Sequence, residues 1–276
     1  MDSFAVVVHP LDPKEDMGRV YPQLARLLPT PVLHLLARHW PPLMLSRITG
    51  LRSEATGKGA EGWLLGSPLT AAQVCRLPPQ AVYDKAVRVG RVAQKRGAQI
   101  LGLGAATSAV GDGGVTVAQR LNMPVTTGRS LVVGFAIEAL VRAAEERNLE
   151  MGAATAAVVG ASGTVGLAMA EMLAPLVGKL ILVGQREIRV SQARAQAEAA
   201  GAKEVRVWTE IEPLEEADIV ISATSAHRPI IGPEALKERA LVCDVALPPD
   251  VAPTVRERRP DVTVLTGTMV EMPGAV

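Results

Sequence analysis

The stretch ATAAVVGASGTVGLAMAEMLAPLVGKLILVGQR (Ala154–Arg186) joins two apolar runs through a glycine-rich turn. The first run, Ala154–Val159, leads into a segment in which glycine recurs at every third residue from Gly160 to Gly166. Small residues follow until Pro175, which ends the predicted helix because proline cannot continue its hydrogen-bond ladder. A second apolar run, Lys179–Val183, completes the order strand, turn, helix, strand. This order predicts a βαβ unit of a parallel sheet.

The three glycines have distinct expected roles in such a unit. Gly160 makes the tight turn after the strand, Gly163 lets a ligand approach the backbone, and Gly166 lets the helix lie close to the sheet. The helix start offers unpaired N–H groups and a partial positive charge, which favour a diphosphate. The turn is therefore predicted to bind a dinucleotide, through Gly160, Ala161, Ser162, Gly163, Thr164, Val165 and Gly166.

The end of the second apolar run indicates which dinucleotide is expected. Sites that prefer NAD usually place Asp or Glu at this strand end, about 20 residues after the turn, where the carboxylate binds the ribose 2′-hydroxyl. The chain instead reads Gly184-Gln185-Arg186, with no carboxylate before Glu187. A guanidinium suits a 2′-phosphate because its paired N–H donors match phosphate oxygens. Gln185 and Arg186 therefore predict NADP (NADPH) as the cofactor.

The rest of the second half alternates apolar runs with connecting segments. The predicted strands are Val205–Trp208, Ala217–Ala223, Leu241–Val245 and Val262–Leu265, with a helix over Gln192–Ala200. Together with the opening stretch they predict a six-stranded, Rossmann-type doubly wound parallel sheet. Ligands of such sheets bind beyond the carboxyl ends of the strands. Further cofactor contacts are therefore predicted at Ala223, Thr224, Ser225, Asp244 and Gly267.

The first half is predicted to be a separate α/β domain that holds the substrate. Its strands Phe4–Val8 and Gln99–Gly104 precede a small-residue loop that ends at Ser108, and a later strand ends at Thr127-Gly128. Hydroxyl and backbone donors at these ends, Thr127, Gly128 and Ser108, are predicted to position substrate and nicotinamide. Ser130 is predicted to cap a long helix, Leu131–Arg147. The predicted domains are residues 1–129 for substrate, 130–152 as connecting helix and linker, and 153–276 for NAD(P).

Composition limits the remaining function classes. A net charge of +1 gives no general basis for nucleic-acid binding. Two cysteines and an N-terminus without signal-peptide features predict a cytoplasmic protein. The uncharged run from Met151 to Ala170 is long enough for a membrane helix, but its strand-then-helix pattern predicts the nucleotide motif instead. His9, His34, His39 and His227 form no metal-ligand spacing, so no metal is expected.

Five segments in this order carry a family resemblance. They are LGLGAATS (Leu101–Ser108), VTTGRS (Val125–Ser130), VVGASGTVG (Val158–Gly166), ADIVISATS (Ala217–Ser225) and LVCDVALPPDV (Leu241–Val251). The series resembles the long-chain acyl-(acyl-carrier-protein) reductases and related predicted dehydrogenases, from about Ala55 onward. More distantly, the second half resembles shikimate dehydrogenase-type nucleotide domains.

This resemblance implies reduction of an acyl thioester to an aldehyde by NADPH, with a cysteine as nucleophile. The family's nucleophile lies in a helical region after the nucleotide domain, whereas this sequence ends at Val276. Neither Cys75 nor Cys243 matches that position. A truncated reductase is therefore expected, with a shorter relative of different chemistry as the other interpretation.

The leading hypothesis is an NADP-dependent oxidoreductase similar to acyl-carrier-protein reductases. A shikimate-like alcohol dehydrogenase using Lys58 and Asp112, and a non-catalytic NADP-binding module, stay open as alternatives. The expected partner is a small-molecule or acyl-thioester substrate. An acyl carrier protein would dock on the basic part, Lys85–Arg96, of a helix predicted from about Gln80 to Arg96. A homo-oligomer is compatible with the sequence, and neither nucleic acid nor an integral membrane segment is expected.

Overall fold

A computed structural model describes residues 2–10, 14, 18, 21–37, 39–226 and 228–267. The chain divides into two compact units. The first takes in Met1–Gly128 and the second begins at Arg129. The helix that was expected to connect the domains therefore belongs to the second unit.

The first unit is built around a five-stranded sheet in the order β2-β3-β1-β4-β5. Its strands are β1 (Asp2–Val8), β2 (Leu43–Arg52), β3 (Gly59–Gly66), β4 (Ile100–Gly102) and β5 (Val125–Thr126). The described helices are α1 (Pro22–Leu27), α2 (Thr30–Ala37), α3 (Ala71–Arg76), α4 (Pro79–Lys95), α5 (Ala105–Ala109) and α6 (Val115–Gln119). Strand β1 pairs in parallel with both β3 and β4, whereas β2 joins β3 as an antiparallel hairpin.

The core of the first unit lies between this sheet and α4. Val82, Ala86, Val89 and Ala93 are the buried face of the helix, at the spacing of an amphipathic helix. Ala86, Val89 and Ala93 share a core with Ala5, Val7 and Leu101 of the central strands, and Val82 belongs to a smaller cluster with Leu69 and Val74. The charged side of α4 is left outward.

The second unit contains a six-stranded sheet in the order β11-β10-β9-β6-β7-β8, with every pair parallel. Its strands are β6 (Thr155–Val159), β7 (Lys179–Val183), β8 (Val205–Trp208), β9 (Ile219–Ser222), β10 (Leu241–Asp244) and β11 (Thr263–Thr266). Its helices are α7 (Arg129–Glu146), α8 (Thr164–Leu173), α9 (Glu187–Ala199) and α10 (Pro253–Arg258), with short 3-10 segments at Met151–Ala153, Glu212–Glu216 and Pro233–Ala235.

Alternate residues of these strands enter two separate cores. Ala156, Val158, Leu180 and Leu182 pack with α7, α8 and α9. Their neighbours Ala157, Val159, Ile181 and Val183 pack with the Glu212–Glu216 segment and α10. Because both faces of the sheet are covered, the strands read as continuous apolar runs. The predicted fold class, an α/β domain followed by a Rossmann-type doubly wound parallel sheet, is confirmed.

Three local predictions are wrong. Ser130 does not cap the long helix, because α7 already begins at Arg129. The segment after β4 is a short helix, Ala105–Ala109, and not a loop. The helix predicted over Gln192–Ala200 begins five residues earlier, at Glu187.

In the described part of the chain, no helix is both long enough and apolar enough to cross a bilayer. The uncharged run from Met151 to Ala170 forms a 3-10 turn, β6, the glycine turn and part of α8.

Candidate functional site

The turn after β6 fixes the ends of three strands to one another. Gly160 has φ +84°, a conformation that favours glycine. The N–H groups of Gly160 and Ala161 both donate to the Val183 carbonyl at the end of β7, at 2.9 and 3.1 Å. A Cβ atom on Gly160 would lie 2.6 Å from the Ala223 carbonyl oxygen after β9. The residue must therefore be glycine on two independent grounds.

The start of α8 has no side-chain cap. A Cβ on Gly166 would lie 2.3 Å from the Gly160 carbonyl, so only glycine lets the helix begin this close to the strand. Gly163 is the N-cap residue, and no side chain caps the helix. Gly163 and Thr164 are exposed. The first-turn N–H groups lack intrahelical acceptors, and such groups at a helix start favour an anion.

The end of β7 lies against this turn. A Cβ on Gly184 would approach the Ser162 hydroxyl oxygen to 3.1 Å. The next residues, Gln185 and Arg186, are both exposed. Arg186 is the N-cap residue of α9, and the described residues provide no hydrogen bond or ion pair for its guanidinium. The structure thus brings Ser162, Gln185 and Arg186 to one edge with a free cation.

A buried carboxylate that the sequence analysis missed organises the end of β9. Asp250 is fully buried and accepts hydrogen bonds from the Ser222 hydroxyl at 2.6 Å, the Thr224 hydroxyl at 2.6 Å and the Thr224 N–H at 3.0 Å. The Thr224 hydroxyl, predicted to contact the cofactor, is therefore committed to Asp250. Ala223 is half-buried and Ser225 exposed beside it.

Asp244 has a similar internal role at the end of β10. Its two carboxylate oxygens accept the N–H groups of Ala246 and Val251, at 3.0 and 2.9 Å. Burial raises the pKa of Asp244, and the charge of Asp250 adds to the rise while the amide bonds oppose it. Gly267 follows β11, where a Cβ would lie 2.4 Å from Val245 Cγ1.

A cavity of about 300 Å³ opens beside Asp244. Its walls are mainly apolar, and two polar side chains, Arg256 and Thr266, hydrogen-bond to each other at 3.0 Å within its lining. The lining residues are Asp244, Ala246, Pro249, Val251, Ala252, Pro253, Arg256, Val264 and Thr266. Its size is at the lower end of the range for small-ligand pockets.

The predicted substrate-positioning residues all belong to the first unit. Ser108 is buried in α5. Thr127 and Gly128 follow β5, and Gly128 has φ +71° with no atom within 4 Å of an added Cβ, so backbone conformation alone requires glycine there. Whether these residues act on substrate stays a prediction.

The structure shows one further candidate site residue in the first unit, His9. His9 Nδ1 lies 2.9 Å from the Leu69 carbonyl oxygen, and His9 Nε2 forms a short hydrogen bond with the Thr107 hydroxyl. Burial lowers the pKa of His9. His9 was not predicted as a site residue, although its position directly after a buried strand could have indicated one.

Cysteine and metal chemistry find no support in the described residues. Cys243 is buried in β10, and burial, with a contribution from Asp244, raises the pKa of its thiol to about 11. The side chains of Cys75 and His34, and all of His227, lie outside the described residues. Within the described ranges, no group of three His, Cys, Asp or Glu side chains is arranged to hold a metal ion.

Residues 142–266 match the family described as "Shikimate / quinate 5-dehydrogenase". The match lies within the second unit and includes the glycine turn, Arg186 and both buried carboxylates. It covers less than half of the chain, so the likeness concerns this unit alone.

A curated relative and two solved structures show more distant likeness. "Aminotransferase PigE" of Serratia sp. (strain ATCC 39006) is 27% identical over 227 residues, which are 81% of this chain and 26% of that protein. The chain thus spans about a quarter of the relative's length. Glutamyl-tRNA reductase from Methanopyrus kandleri is 24% identical with a TM-score of 0.39, covering 71% of this chain and 46% of that chain. Dipicolinate synthase, A chain, from Bacillus subtilis is 12% identical with a TM-score of 0.40, covering 96% and 87%. Both TM-scores are below 0.5, so neither likeness bears on function.

Proposed function

We propose that this chain is an NADP-dependent oxidoreductase whose second unit binds the dinucleotide at the turn between β6 and α8. The observation that carries the proposal is the uncapped, exposed start of α8 held against the strand ends by Gly160 and Gly166. The match to the shikimate / quinate 5-dehydrogenase family over residues 142–266 supports it.

The proposed contacts follow from the placement of each residue. The N–H groups of Thr164 and Val165 and the hydroxyls of Ser162 and Thr164 would bind the pyrophosphate. The Gly163 N–H already donates to the Gly160 carbonyl at 2.9 Å, so Gly163 would contribute its lack of a side chain. Arg186, with Gln185 beside it, would bind the ribose 2′-phosphate through charge-assisted hydrogen bonds. NADPH, when bound, supplies a hydride. Gly160, Ala161 and Gly166 shape the turn, and Ala223, Ser225, Asp244 and Gly267 border the remaining strand ends.

The experiment is a fluorescence titration of NADPH and NADH on the wild type and on Arg186→Ala. We expect the wild type to prefer NADPH, and the variant to lose about 10- to 100-fold in NADPH affinity with little change for NADH, which corresponds to about 1.4–2.7 kcal/mol. Arg194→Ala is the matched control, because Arg194 pairs with Glu198 on the same helix. Absence of binding of either nucleotide would overturn the proposal.

The proposed substrate is an acyl thioester, as the resemblance to acyl-carrier-protein reductases implies, with Thr127, Gly128 and Ser108 as positioning residues. An acyl carrier protein, which is acidic, would dock on α4. Arg88, Arg91 and Lys95 are exposed on this helix, and no carboxylate of the described residues forms an ion pair with them. Four-residue and three-residue spacings place such side chains on one helix face.

Charge reversal tests the docking surface. We expect Arg88→Glu combined with Arg91→Glu to raise KM about 10-fold for a carrier-bound acyl group, and to leave KM unchanged for the same acyl group on a small thiol. Equal effects on both substrates would remove the carrier protein from the proposal.

A shikimate-like alcohol dehydrogenase is the second candidate, favoured by the family match of the second unit. That chemistry needs a Lys and Asp pair to move the hydroxyl proton. The Asp112 carboxylate instead accepts the N–H groups of Gly114 and Thr116 and the Thr116 hydroxyl, and it forms no ion pair with Lys58 in the described structure. Turnover of cyclic alcohols without turnover of thioesters would favour this candidate. Tight nucleotide binding with no turnover of either class would favour a non-catalytic module.

A further inference from the structure

The strand β1 is the switch point of the first sheet. The chain builds β3 on one side of β1 and β4 on the other. In open α/β sheets, ligands bind beyond the carboxyl ends of the strands at such a point. His9 directly follows β1, and Ser67 follows β3, with its N–H donating to the Val8 carbonyl at 2.8 Å. Thr107 lies in the short helix after β4.

The hydrogen bonds of His9 define its tautomer. The Leu69 carbonyl oxygen can only accept, so His9 Nδ1 carries the hydrogen. In the neutral ring the other nitrogen, Nε2, is then an acceptor, and the Thr107 hydroxyl donates to it. The lowered pKa of His9, caused by burial, favours this neutral form near pH 7.

Ser67 provides a second observation at the same edge. Its side chain is 2% exposed, and the described residues give its hydroxyl no hydrogen-bond partner. Thr70, also buried nearby in the chain, is explained by its capping box with Gln73. A buried hydroxyl without a partner is costly, so it calls for an oxygen or nitrogen atom from elsewhere.

We propose that Thr107 is a nucleophile that accepts an acyl group from a thioester or activated ester, with His9 as its general base. A hydroxyl hydrogen-bonded to a base, with the base oriented by a third group, is the arrangement that activates such nucleophiles. Here the third group is the Leu69 carbonyl. Ser67 is a hydroxyl donor for the acyl substrate at the same strand ends.

The step balances without an oxidant or reductant. The Thr107 oxygen forms a bond to the acyl carbon while its proton passes to His9 Nε2. The carbon–sulfur bond then breaks, and the leaving thiolate takes that proton from His9. The products are an acyl ester on Thr107 and a free thiol, and water can release the acyl group by the reverse proton path. The step needs no nucleotide, so it can be tested apart from NADPH binding.

The experiment treats the full chain with p-nitrophenyl acetate, and in parallel with the butanoyl thioester of N-acetylcysteamine. We expect a burst of one nitrophenolate per chain, and one acyl group that peptide mass spectrometry places on Thr107. Thr107→Val should abolish both, and Thr107→Ser should retain them. His9→Gln should slow acylation by about 100-fold or more, since a general base contributes about 10²–10⁴-fold.

Controls separate a chemical role from loss of folding. Thr126→Val removes an exposed hydroxyl that accepts the Gly128 N–H, and it should leave the burst unchanged. Far-UV circular dichroism and urea denaturation report the folding of each variant, and Thr107→Ser tests the site if Thr107→Val unfolds. No burst in the wild type with either ester, or an acyl group on Ser108 or any residue other than Thr107, would overturn the proposal.

Discussion

The two sheets share a central switch-point strand, but different functional groups lie at the carboxyl ends of their strands. In each sheet the first strand of the unit is the switch point, β1 in one and β6 in the other. After β6 comes a glycine turn with exposed amides, backed by the buried carboxylates of Asp244 and Asp250. After β1 comes an imidazole among buried hydroxyls.

This difference shows which residues determine ligand specificity in an α/β chain. The apolar strands build similar scaffolds, and the few residues after each strand decide what the edge can bind. Exposed amides with a nearby free arginine suit a phosphorylated ligand. A neutral imidazole with hydroxyls suits proton transfer and acyl chemistry.

The largest expected effect concerns Asp250, the buried carboxylate at the carboxyl ends of the strands of the second sheet. Asp250→Ala leaves three donors of Ser222 and Thr224 without an acceptor, so we expect the free energy of unfolding of the second unit to fall by about 3–5 kcal/mol. Urea denaturation measures the change. Asp84→Ala, which removes a solvent-screened pair with Arg120, should lower the free energy of unfolding far less than Asp250→Ala does. Equal costs for the two variants would show that Asp250 does not hold the edge together.

A smaller effect on stability, but a selective one on binding, is expected at the glycine turn. Gly166→Ala places a methyl group 2.3 Å from the Gly160 carbonyl, so the helix start must shift. We expect about 1–3 kcal/mol of destabilisation and at least about 100-fold weaker NADPH binding.

Gly134→Ala is the matched control for this substitution. Gly134 lies in α7, and a Cβ there would have no atom within 4 Å. The change should leave binding intact and stabilise the helix by up to about 1 kcal/mol. Unchanged NADPH affinity in Gly166→Ala would separate the turn from the nucleotide.

The smallest expected effect is a pH dependence of stability caused by His9, at the carboxyl end of β1. The pKa of His9 is lowered in the folded chain, whereas the unfolded chain takes up a proton near pH 6.5. Proton uptake below that pH therefore favours unfolding, and stability falls by at most about 1.4 kcal/mol per pH unit, while above it the contribution is constant.

Hydrogen exchange of the β1 amides on both sides of about pH 6.5 measures this loss. In His9→Gln, where position 9 does not titrate, we expect the pH dependence of β1 to be shallower than in the wild type. A steeper dependence in the variant would mean that His9 is protonated in the folded state.

The second sheet could be predicted because its strands are uninterrupted apolar runs. Lys179–Val183 and Val205–Trp208 match the structure residue for residue. The start of α9 differs from the prediction because its first turn, from Glu187 to Arg189, is exposed and has two charged residues around a single apolar one, so it shows no apolar period. The Ala105–Ala109 helix was missed because its small residues carry no apolar period.

The hydrogen-bonded pairs at the carboxyl ends of the strands could not be predicted from sequence spacing. His9 and Thr107 are 98 residues apart, and Thr224 and Asp250 are 26 apart. Such pairs meet only because parallel strands bring their carboxyl ends to one edge. The glycine turn is the exception, since its function depends on residues that are local in sequence.

The most direct test of the account is an amide-resolved NMR titration of the full chain with NADPH. We predict that the largest shifts fall on the amides of Ser162, Gly163, Thr164 and Arg186, and that NADH leaves the Arg186 amide nearly unmoved. Shifts confined to the residues around His9 and Thr107, or no shifts at saturating NADPH, would contradict the assignment of the nucleotide to the turn between β6 and α8.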